Sequence, residues 1–360
     1  MRGILEINRT NLRTNILKIR KILPENCQFF SVLKANAYGL GLEQIARCEA
    51  PLVDGFCLAN TDEAMQLRSF YRDGLVLILS PVLPDEMTAL FDFDLTPLIS
   101  SREEADLLNR MAQQRNLKKS IHIKIDTGMG RAGVLYDQVL EFVQYIQNNC
   151  LSLHITGFGT HYSSVGTDAE FTNLQHKRFV DAVKPYSGES LIFHAASSFA
   201  IEHYIEGTNA VRVGALQYGI PEDKSLVQKL QLEPVATLKC FITEKKQMPK
   251  GSKIGYCQTY TLTKDTTIGL LSLGYADGVS VNLSNCGYVM IRGKKCPIIG
   301  RISMDQMMID ISDRAVNLYD TAIIFGQDGP ALNVFSALSQ VPIRGCLCAI
   351  SNRVTRHYTD

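Results

Sequence analysis

A lysine followed by small residues is the strongest chemical feature of this 360-residue chain. Lys34 ends an apolar run that begins at Phe29, and Ala35-Asn-Ala-Tyr-Gly39 follows it. If the run is a strand of a parallel barrel, Lys34 lies at the carboxyl end, where such barrels carry their active sites. A lysine amine in a partly dry pocket can form a Schiff base with an aldehyde cofactor. Because a lone strand-end lysine more often only reaches solvent, its neighbours decide the interpretation.

Strands and helices are predicted to alternate over the first two thirds of the chain. Most of the short apolar runs are followed by segments with apolar residues at helical spacing. The predicted strands are 29–33, 55–58, 76–79, 95–99, 121–125, 155–160, 191–194 and 210–213. This pattern predicts an α/β barrel, a (β/α)8 TIM-type fold, although spacing alone also allows an open doubly wound sheet.

The last third of the chain has a different pattern. Beyond about Leu232, strands follow one another with turn residues and no helices between them. The predicted strands are 235–243, 267–272, 288–292, 296–299, 307–310 and 321–325. We therefore expect a barrel domain over residues 1–232 and a smaller, mostly β domain over 233–360. The first strand, residues 1–8, can pack with the second domain.

Composition excludes several classes of protein. Lys and Arg number 37 against 36 Asp and Glu, so the net charge of +1 disfavours nucleic acid and anionic membranes as partners. The N-terminus alternates apolar and polar residues, and no long apolar run follows, so we expect a cytoplasmic protein. The ten cysteines form no Cys-x-x-Cys pair. We expect reduced thiols and no metal site, with Cys346 and Cys348 on one face of a strand.

Five segments resemble the motifs of the alanine racemase family, in the family's order and from end to end of the chain. They are Lys34-Ala-Asn-Ala-Tyr-Gly39, Lys124-Ile-Asp-Thr-Gly-Met-Gly-Arg131, Val211-Arg-Val-Gly214, Gly274-Tyr-Ala-Asp-Gly278 and Gly300-Arg-Ile-Ser-Met-Asp-Gln306. The resemblance implies a racemase that depends on pyridoxal 5'-phosphate and acts on a small amino acid. The implied reaction interconverts L-alanine and D-alanine and supplies D-alanine for peptidoglycan.

The resemblance implies two proton-transferring residues. Lys34 would hold the cofactor as a Schiff base and act as the base on one face of the substrate α-carbon. Tyr275 would act on the other face. Racemisation removes the α-proton from one face and returns it on the other, so two bases on opposite faces suffice. As an isolated residue, Tyr275 would more often be a core aromatic.

Two arginines and a lysine would tune the site. Arg212 matches the family arginine that faces the pyridine nitrogen, where a guanidinium keeps its proton, weakens the electron sink and favours racemisation over transamination. Arg131 would contact the cofactor's phenolic oxygen and the substrate carboxylate. Lys124 matches a family lysine that can be carbamylated and then orients the arginine. An unmodified barrel lysine is the equal alternative for Lys124.

The remaining cofactor contacts follow from the same resemblance. Tyr38 would hydrogen-bond the phosphate, and His161 would lie behind the pyridine ring. Ser198, Gly214 and Ala215 map to the phosphate cup, where small residues and backbone N–H groups let an anion approach. A purely structural role is the alternative for each of these residues.

The resemblance also implies a homodimer with shared active sites. Met304, with Asp305, maps to a segment that completes the pocket of the neighbouring subunit, as Tyr275 does. Met304 would thus line the substrate side of the partner's site.

Two other classes of protein are disfavoured. Gly128-Met-Gly-Arg-Ala-Gly133 satisfies the dinucleotide-binding pattern, but the acidic residue that pattern needs about 20 positions later is missing, since Glu141 is too early and lies in a helical pattern. A barrel that binds pyridoxal phosphate without turnover is the second alternative. Relatives of that kind lack the β domain, so Tyr275 and Met304 argue against it.

One position departs from the family pattern. In Ile343-Arg-Gly-Cys-Leu-Cys348, Arg344 stands where the family usually has a tyrosine that contacts the phosphate and narrows the entrance. We expect Arg344 either to pair with the phosphate or to reshape the entrance. A broader racemase that accepts serine or other side chains is therefore the alternative function.

Overall fold

The computed structural model describes residues 1–188, 190–221, 223–312 and 314–360. The strands of the described chain are β1 Gly3–Asn8, β2 Gln28–Val32, β3 Gly55–Leu58, β4 Leu75–Ile78, β5 Thr96–Ile99, β6 Lys119–Asp126, β7 Val134–Leu135, β8 Leu153–Gly159, β9 Ile192–Ser197, β10 Ala210–Val213, β11 Ala236–Met248, β12 Lys253–Ile254, β13 Tyr260–Thr261, β14 Thr266–Leu271, β15 Tyr288–Ile291, β16 Lys294–Pro297, β17 Met307–Asp310, β18 Thr321–Phe325 and β19 Thr355–Thr359. The α-helices are Arg9–Arg20, Leu42–Glu49, Thr61–Arg68, Met87–Asp92, Arg102–Gln114, Val139–Asn149, Ala169–Val183, Lys224–Lys229, Leu332–Ser339 and Ile343–Cys348. Among the described residues, no helix combines the length and the apolar character needed to cross a bilayer.

A closed parallel barrel forms the larger of two compact units, which comprises Ile16–Ala37 and Leu42–Gln217. Its eight strands follow the order β2-β3-β4-β5-β6-β8-β9-β10, all pairs being parallel. The barrel closes because β5 pairs with β6 and β10 pairs with β2. The predicted (β/α)8 barrel is therefore confirmed, and the open doubly wound sheet is wrong.

Local sequence signals account for the helices and strands of the barrel. Side chains at Asn60, Ser101 and Asp168 accept hydrogen bonds from backbone N–H groups in the first turns of the helices that follow them. Most residues of these strands are buried on both faces, because helices cover one side and packed side chains fill the other. Buried residues such as Phe30 and Leu77 belong to a core cluster of the barrel strands.

The second unit comprises Met1–Asn15, Tyr38–Gly41 and Tyr218–Asp360, and it is mostly β. Its main sheet has the order β16-β15-β18-β11-β1-β19, with β14 paired to β11 and β17 paired to β14. Strand β1 pairs antiparallel with β11 and parallel with β19. Residues alternate in burial along β1, with Leu5 and Ile7 fully buried, because one face of this strand packs into the core.

Two predictions for the last third of the chain are wrong. We expected strands without helices, but Leu332–Ser339 and Ile343–Cys348 are helical. Phe335 and Ser339 are the buried residues of the first helix, and their i, i+4 spacing is a helical signal within a short apolar run. Cys346 is buried and Cys348 is exposed. Residues two apart point in different directions on a helix, so these cysteines do not share the predicted strand face.

Candidate active site

Arg212 is the buried centre of the barrel site. It lies on β10 and is only 5% exposed, so it is not a surface arginine. Its Nη2 donates to the carbonyl oxygens of Thr160 at 2.6 Å and Ala195 at 3.2 Å, and its Nη1 donates to the carbonyl oxygen of His194 at 2.7 Å. Carbonyl acceptors hold the guanidinium in place without neutralising it. The barrel therefore contains a fixed positive charge.

Two histidines extend this arrangement across the barrel interior. Arg212 Nη1 also contacts Nδ1 of His194, and Nε2 of His194 lies 2.9 Å from Nδ1 of His122. Because a guanidinium only donates, His194 accepts at Nδ1 and carries its proton on Nε2. Burial, reinforced by Arg212, lowers the pKa of His122 to about 3 and that of His194 well below its ordinary value. Both imidazoles are neutral, and they fix Arg212 without adding charge.

Glycines on the neighbouring strand make room for these imidazoles. A Cβ on Gly159 would lie 2.1 Å from Cε1 of His194, and one on Gly157 would lie 2.7 Å from Cε1 of His122. Both distances are too short for any side chain. Strand β8 therefore carries glycine opposite each histidine because the barrel interior is already filled there.

Further cations gather near Arg212 at the carboxyl ends of the strands. Burial lowers the pKa of His161, which follows β8, and the charges of Arg212, Lys124, Arg131 and Lys34 lower it further. The Nη2 of Arg212 lies 3.4 Å from Nδ1 of His161. The structure thus brings together five of the predicted site residues in one electrostatic group. The positive charges of the two arginines and two lysines repel one another, and an anionic ligand would relieve that repulsion.

Lys124 is a strongly perturbed lysine of the group. It lies on β6, is 9% exposed, and has a pKa lowered to about 7 by burial and by the charges of Arg212 and Arg131, with Asp126 opposing the shift. At this pKa, roughly half of the amine is neutral at neutral pH. A neutral buried amine is a nucleophile, which is the form that carbamylation requires.

Asp126 organises the loop that carries Arg131. Its carboxylate accepts the backbone N–H groups of Gly128 and Met129 at 2.8 Å and that of Gly130 at 2.9 Å. Burial opposes ionisation, but these hydrogen bonds outweigh it and lower the pKa of Asp126. Arg131 follows directly and is exposed. The Gly-Met-Gly pattern is therefore a carboxylate-bound turn that presents a guanidinium.

Lys34 opens an unusual backbone turn. It follows β2 by two residues and is exposed, and the next three residues have φ values of 57°, 54° and 52° with ψ near 50°. This is a left-handed helical turn, which costs non-glycine residues about 1–2 kcal/mol each. The side chain of Asn36 accepts from the N–H of Leu42 at 2.7 Å, and Glu63 accepts from the N–H of Asn36 at 3.0 Å. These contacts stabilise the strained turn that follows the lysine.

Ser198 connects the residues of the predicted phosphate cup through hydrogen bonds. This residue follows β9 and is buried, and its Oγ accepts from the N–H of Gly214 at 2.9 Å and of Leu216 at 3.4 Å. Gly214 and Ala215 follow β10, and Ala215 is buried. The structure brings these three predicted residues together in the barrel unit.

Tyr38 belongs to the second compact unit, together with residues 39–41. Its side chain is buried, with its ring centroid 5.4 Å from that of Tyr218. Arg356 donates to the carbonyl oxygen of Gly39 at 3.0 and 3.1 Å, and Tyr358 donates to that of Leu40 at 2.8 Å. The segment that carries Tyr38 is thus anchored by β19.

Tyr275 and Met304 lie on adjacent segments of the second unit. The N–H of Tyr275 donates to the carbonyl oxygen of Ser303 at 3.0 Å, and the N–H of Ala276 donates to that of Met304 at 3.0 Å. Gly274 is required here, because a Cβ would lie 2.3 Å from the oxygen of Ser303. Both side chains are exposed, Tyr275 at 43% and Met304 at 51%. We call these two residues the exposed pair.

Ion pairs hold the two segments of the exposed pair together. Arg353 contacts Asp277 at 3.2 Å and Asp305 at 2.5 Å. Asp277 also accepts from the N–H of Gly274 at 2.9 Å. Arg344, the other predicted residue of this unit, is exposed on the helix Ile343–Cys348.

Sequence reasoning missed the supporting residues His194, Asp126 and Arg353. A histidine inside the apolar run Leu191–Ala196 was a usable signal, because a buried polar side chain needs a partner. The aspartate before a Gly-Met-Gly loop was a second signal, since such residues accept from the next backbone N–H groups. Nothing local could have found Arg353, because its partners are 48 and 76 residues away in the sequence.

The chemistry of the donors fits an anionic aldehyde cofactor. The amine of Lys34 follows β2. Positive charge comes from Lys124 on β6, from Arg131 after β6 and from Arg212 on β10. The fold and site therefore define a class: a parallel barrel with a cationic site at its carboxyl ends, followed by a mostly β domain. Parallel barrels carry their active sites at that end and frequently bind phosphate groups there.

Comparisons with known proteins define the family. The model for the alanine racemase N-terminal domain matches residues 7–222, and the model for the C-terminal domain matches residues 235–358. An alanine racemase of Halothermothrix orenii is 34% identical over 99% of this chain and 96% of its own length. One of Carboxydothermus hydrogenoformans is 35% identical over 98% of each chain. A solved alanine racemase of Clostridium difficile 630 has a TM-score of 0.93 and 30% identity, covering 100% of this chain and 96% of its own. This chain belongs to the alanine racemase family.

Proposed function

We propose that this chain is a pyridoxal 5'-phosphate-dependent racemase that interconverts L-alanine and D-alanine in the cytoplasm. The observation that carries the proposal is the group of four cations around His161 at the carboxyl ends of the barrel strands, one of which is Lys34. The names of the relatives from Halothermothrix orenii and Carboxydothermus hydrogenoformans support alanine as the substrate.

Lys34 would hold the cofactor, and Arg212 would face its pyridine nitrogen. When bound, pyridoxal 5'-phosphate supplies an electron sink for the bond to the α-proton. Arg212 keeps its proton because its hydrogen bonds go to carbonyl oxygens and neutral imidazoles. A ring nitrogen that faces this guanidinium receives a hydrogen bond but no proton. The protein therefore limits electron withdrawal, which favours return of the proton to the α-carbon.

Other side chains would bind the anionic groups. The phosphate prefers hydrogen-bond donors and small residues. It would bind to the hydroxyls of Tyr38 and Ser198 and to the backbone at Gly214 and Ala215. Arg131 would bind the substrate carboxylate, because its planar fork matches two carboxylate oxygens.

Tyr275 would act as the second base, supplied by the partner subunit of a homodimer. The support is its exposure next to Met304 on segments held by backbone hydrogen bonds and by Arg353. Such an exposed pair gains a defined environment when another surface covers it. In this proposal residues 1–232 bind the cofactor, and residues 233–360 contribute the exposed pair to the neighbouring site.

The direct experiment incubates the purified protein and pyridoxal 5'-phosphate with L-alanine, followed by chiral analysis of the product. We expect equal amounts of both enantiomers at equilibrium, because free enantiomers have equal energies. L-alanine that stays enantiomerically pure would contradict the proposal. Because Arg344 occupies the helix Ile343–Cys348, a broader racemase is the second candidate, and parallel reactions with serine and lysine separate the two.

A further inference from the structure

Glu49 is a carboxyl group inside the protein with no place in the reaction described above. It ends the helix Leu42–Glu49, and its side chain is fully buried. Acidic residues are almost never buried completely unless they are paired, because burial removes the water that stabilises the charge. Its surroundings therefore need an explanation.

Two other buried polar side chains connect to Glu49. Ser31 Oγ donates to Glu49 Oε2 at 2.5 Å, and Gln217 Nε2 donates to Ser31 Oγ at 2.9 Å. All three residues are fully buried and belong to the barrel unit. We call Ser31, Glu49 and Gln217 the buried triad.

The chemistry of the buried triad indicates a neutral acid. The hydroxyl and the amide that connect to Glu49 are uncharged, and Oε1 has no hydrogen-bonding group among the described residues. Burial raises the pKa of Glu49 to about 8, partly offset by the hydrogen bond from Ser31. The carboxyl group is therefore mostly protonated at neutral pH.

The buried triad joins two segments that the proposed function uses. Ser31 lies on β2, three residues before Lys34, and it is in register with Val213 on β10. Gln217 lies in the 3₁₀ turn Ala215–Tyr218, and its N–H donates to the carbonyl oxygen of Gly214 at 3.2 Å. The segment with the lysine and the segment of the phosphate cup are thus connected through one chain of side-chain hydrogen bonds.

We propose that Glu49 is a positioning residue, whose carboxyl group acts through Ser31 and Gln217 to hold the Lys34 segment in register with the 214–217 turn. This proposal rests on the proposed function, because it assumes that both segments hold pyridoxal 5'-phosphate. Fixing two contact points of one ligand before it binds lowers the entropy lost on binding. Loss of Glu49 should accordingly weaken cofactor binding.

The test titrates full-length apo-protein with pyridoxal 5'-phosphate and follows the absorbance of the lysine-bound cofactor, alongside the thermal midpoint of the apo-protein. Glu49→Leu removes the acceptor and should weaken binding about tenfold, as loss of supporting hydrogen bonds commonly does. Glu49→Gln keeps a neutral acceptor and should bind within about twofold of the unmodified protein. Glu43→Leu is the matched control, because Glu43 is an exposed residue of the same helix that pairs only with Arg47 at the surface among the interactions found.

The outcomes separate this inference from the function. Absence of cofactor binding by the unmodified protein would overturn the proposed function and this inference with it. Normal binding by the unmodified protein together with unchanged affinity in Glu49→Leu would overturn only the positioning role, even if the thermal midpoint fell. Equal weakening in Glu49→Gln would overturn the neutral-acceptor assignment. If Glu49→Leu does not fold, Ser31→Ala breaks the same connection, and unchanged affinity in that variant would also overturn the proposal.

Discussion

The barrel unit and the β unit hold their candidate site residues in opposite ways. In the barrel, Arg212 and Lys124 are 5% and 9% exposed and are fixed by carbonyl groups, imidazoles and neighbouring charges. In the β unit, Tyr275 and Met304 are 43% and 51% exposed on segments held by backbone hydrogen bonds and ion pairs. In the barrel, neighbouring buried residues determine the electrostatic environment of each charged side chain. In the β unit, the backbone segments are held in place but the two side chains are exposed, so their environment depends on any surface that covers them.

The two units differ in the contacts that determine the role of each side chain. Buried charges act strongly because little water screens them, so small changes in the barrel should alter cofactor chemistry. An exposed side chain on a fixed backbone segment acts through its position relative to the substrate. Changes in the β unit should therefore alter a single step, such as one proton transfer. Variants of the two units should therefore fail in distinguishable ways.

Tyr275→Phe should have the largest effect among the variants of the β unit. Following the family's assignment of Lys34 to the D-enantiomer, racemisation should fall by roughly 10²–10⁴ because one of two bases is lost. Exchange of the α-hydrogen of D-alanine with heavy water should persist, since Lys34 remains. Proton NMR of both enantiomers in heavy water measures the two activities.

A matched control is available on the same unit. Tyr319 is 75% exposed, and Tyr319→Phe should leave both activities unchanged. Equal loss of racemisation and exchange in Tyr275→Phe would contradict the division of labour between the two units.

Arg344→Tyr should change selectivity more than rate. One pocket substitution usually alters selectivity by about 1–3 kcal/mol, so the preference for alanine over serine should rise by roughly 5–150-fold. The ratio of kcat/KM for the two substrates measures this effect. An unchanged ratio would show that Arg344 does not shape the entrance.

Lys124 provides a smaller test of the barrel. Its pKa of about 7 leaves much of the amine neutral above pH 7, and a neutral amine can attack the carbon of CO2, lose its proton to solvent and become a carbamate anion. If this anion orients Arg131, removal of bicarbonate at pH 8 should raise the KM for alanine roughly threefold to tenfold. A carbamate signal in carbon NMR with labelled bicarbonate should be absent in Lys124→Met. If the KM does not change when bicarbonate is removed and no carbamate signal is observed, Lys124 is an ordinary barrel lysine.

Glu49 provides a further test of the barrel through the pH dependence of stability. Its folded-state pKa of about 8 lies above the ordinary value of 4.5, so its stabilising contribution is complete below pH 4.5 and is lost as pH rises through 8. The free energy of unfolding of the apo-protein should therefore fall more steeply between pH 5 and pH 8 than that of Glu49→Gln. Urea unfolding at several pH values measures both slopes. Parallel slopes would mean that Glu49 does not bind an extra proton in the folded protein.

Much of the barrel was predictable because periodicity and turn residues are local signals. The strands predicted at 55–58 and 210–213 match β3 and β10, and the strand ends carry the expected site residues. The left-handed turn after Lys34 was not predictable, because alanine disfavours that conformation and the contacts that stabilise it include hydrogen bonds that join Asn36 to Leu42 and Glu63.

Long-range polar contacts were also beyond sequence reasoning. Ser31 and Gln217 are 186 residues apart, and no local pattern indicates that Gln217 donates to Ser31, whose hydroxyl in turn donates to Glu49. The helix Ile343–Cys348 was missed because a six-residue apolar segment is equally compatible with a strand. In each case the packing of distant segments decides what the local pattern leaves open.

The most direct measurement is borohydride reduction of the purified protein with pyridoxal 5'-phosphate, followed by peptide mapping by mass spectrometry. We expect one reduced cofactor per chain, covalently attached to Lys34, and no label at this site in Lys34→Ala. Attachment to a different lysine, or no attachment in a protein that still racemises alanine, would contradict it.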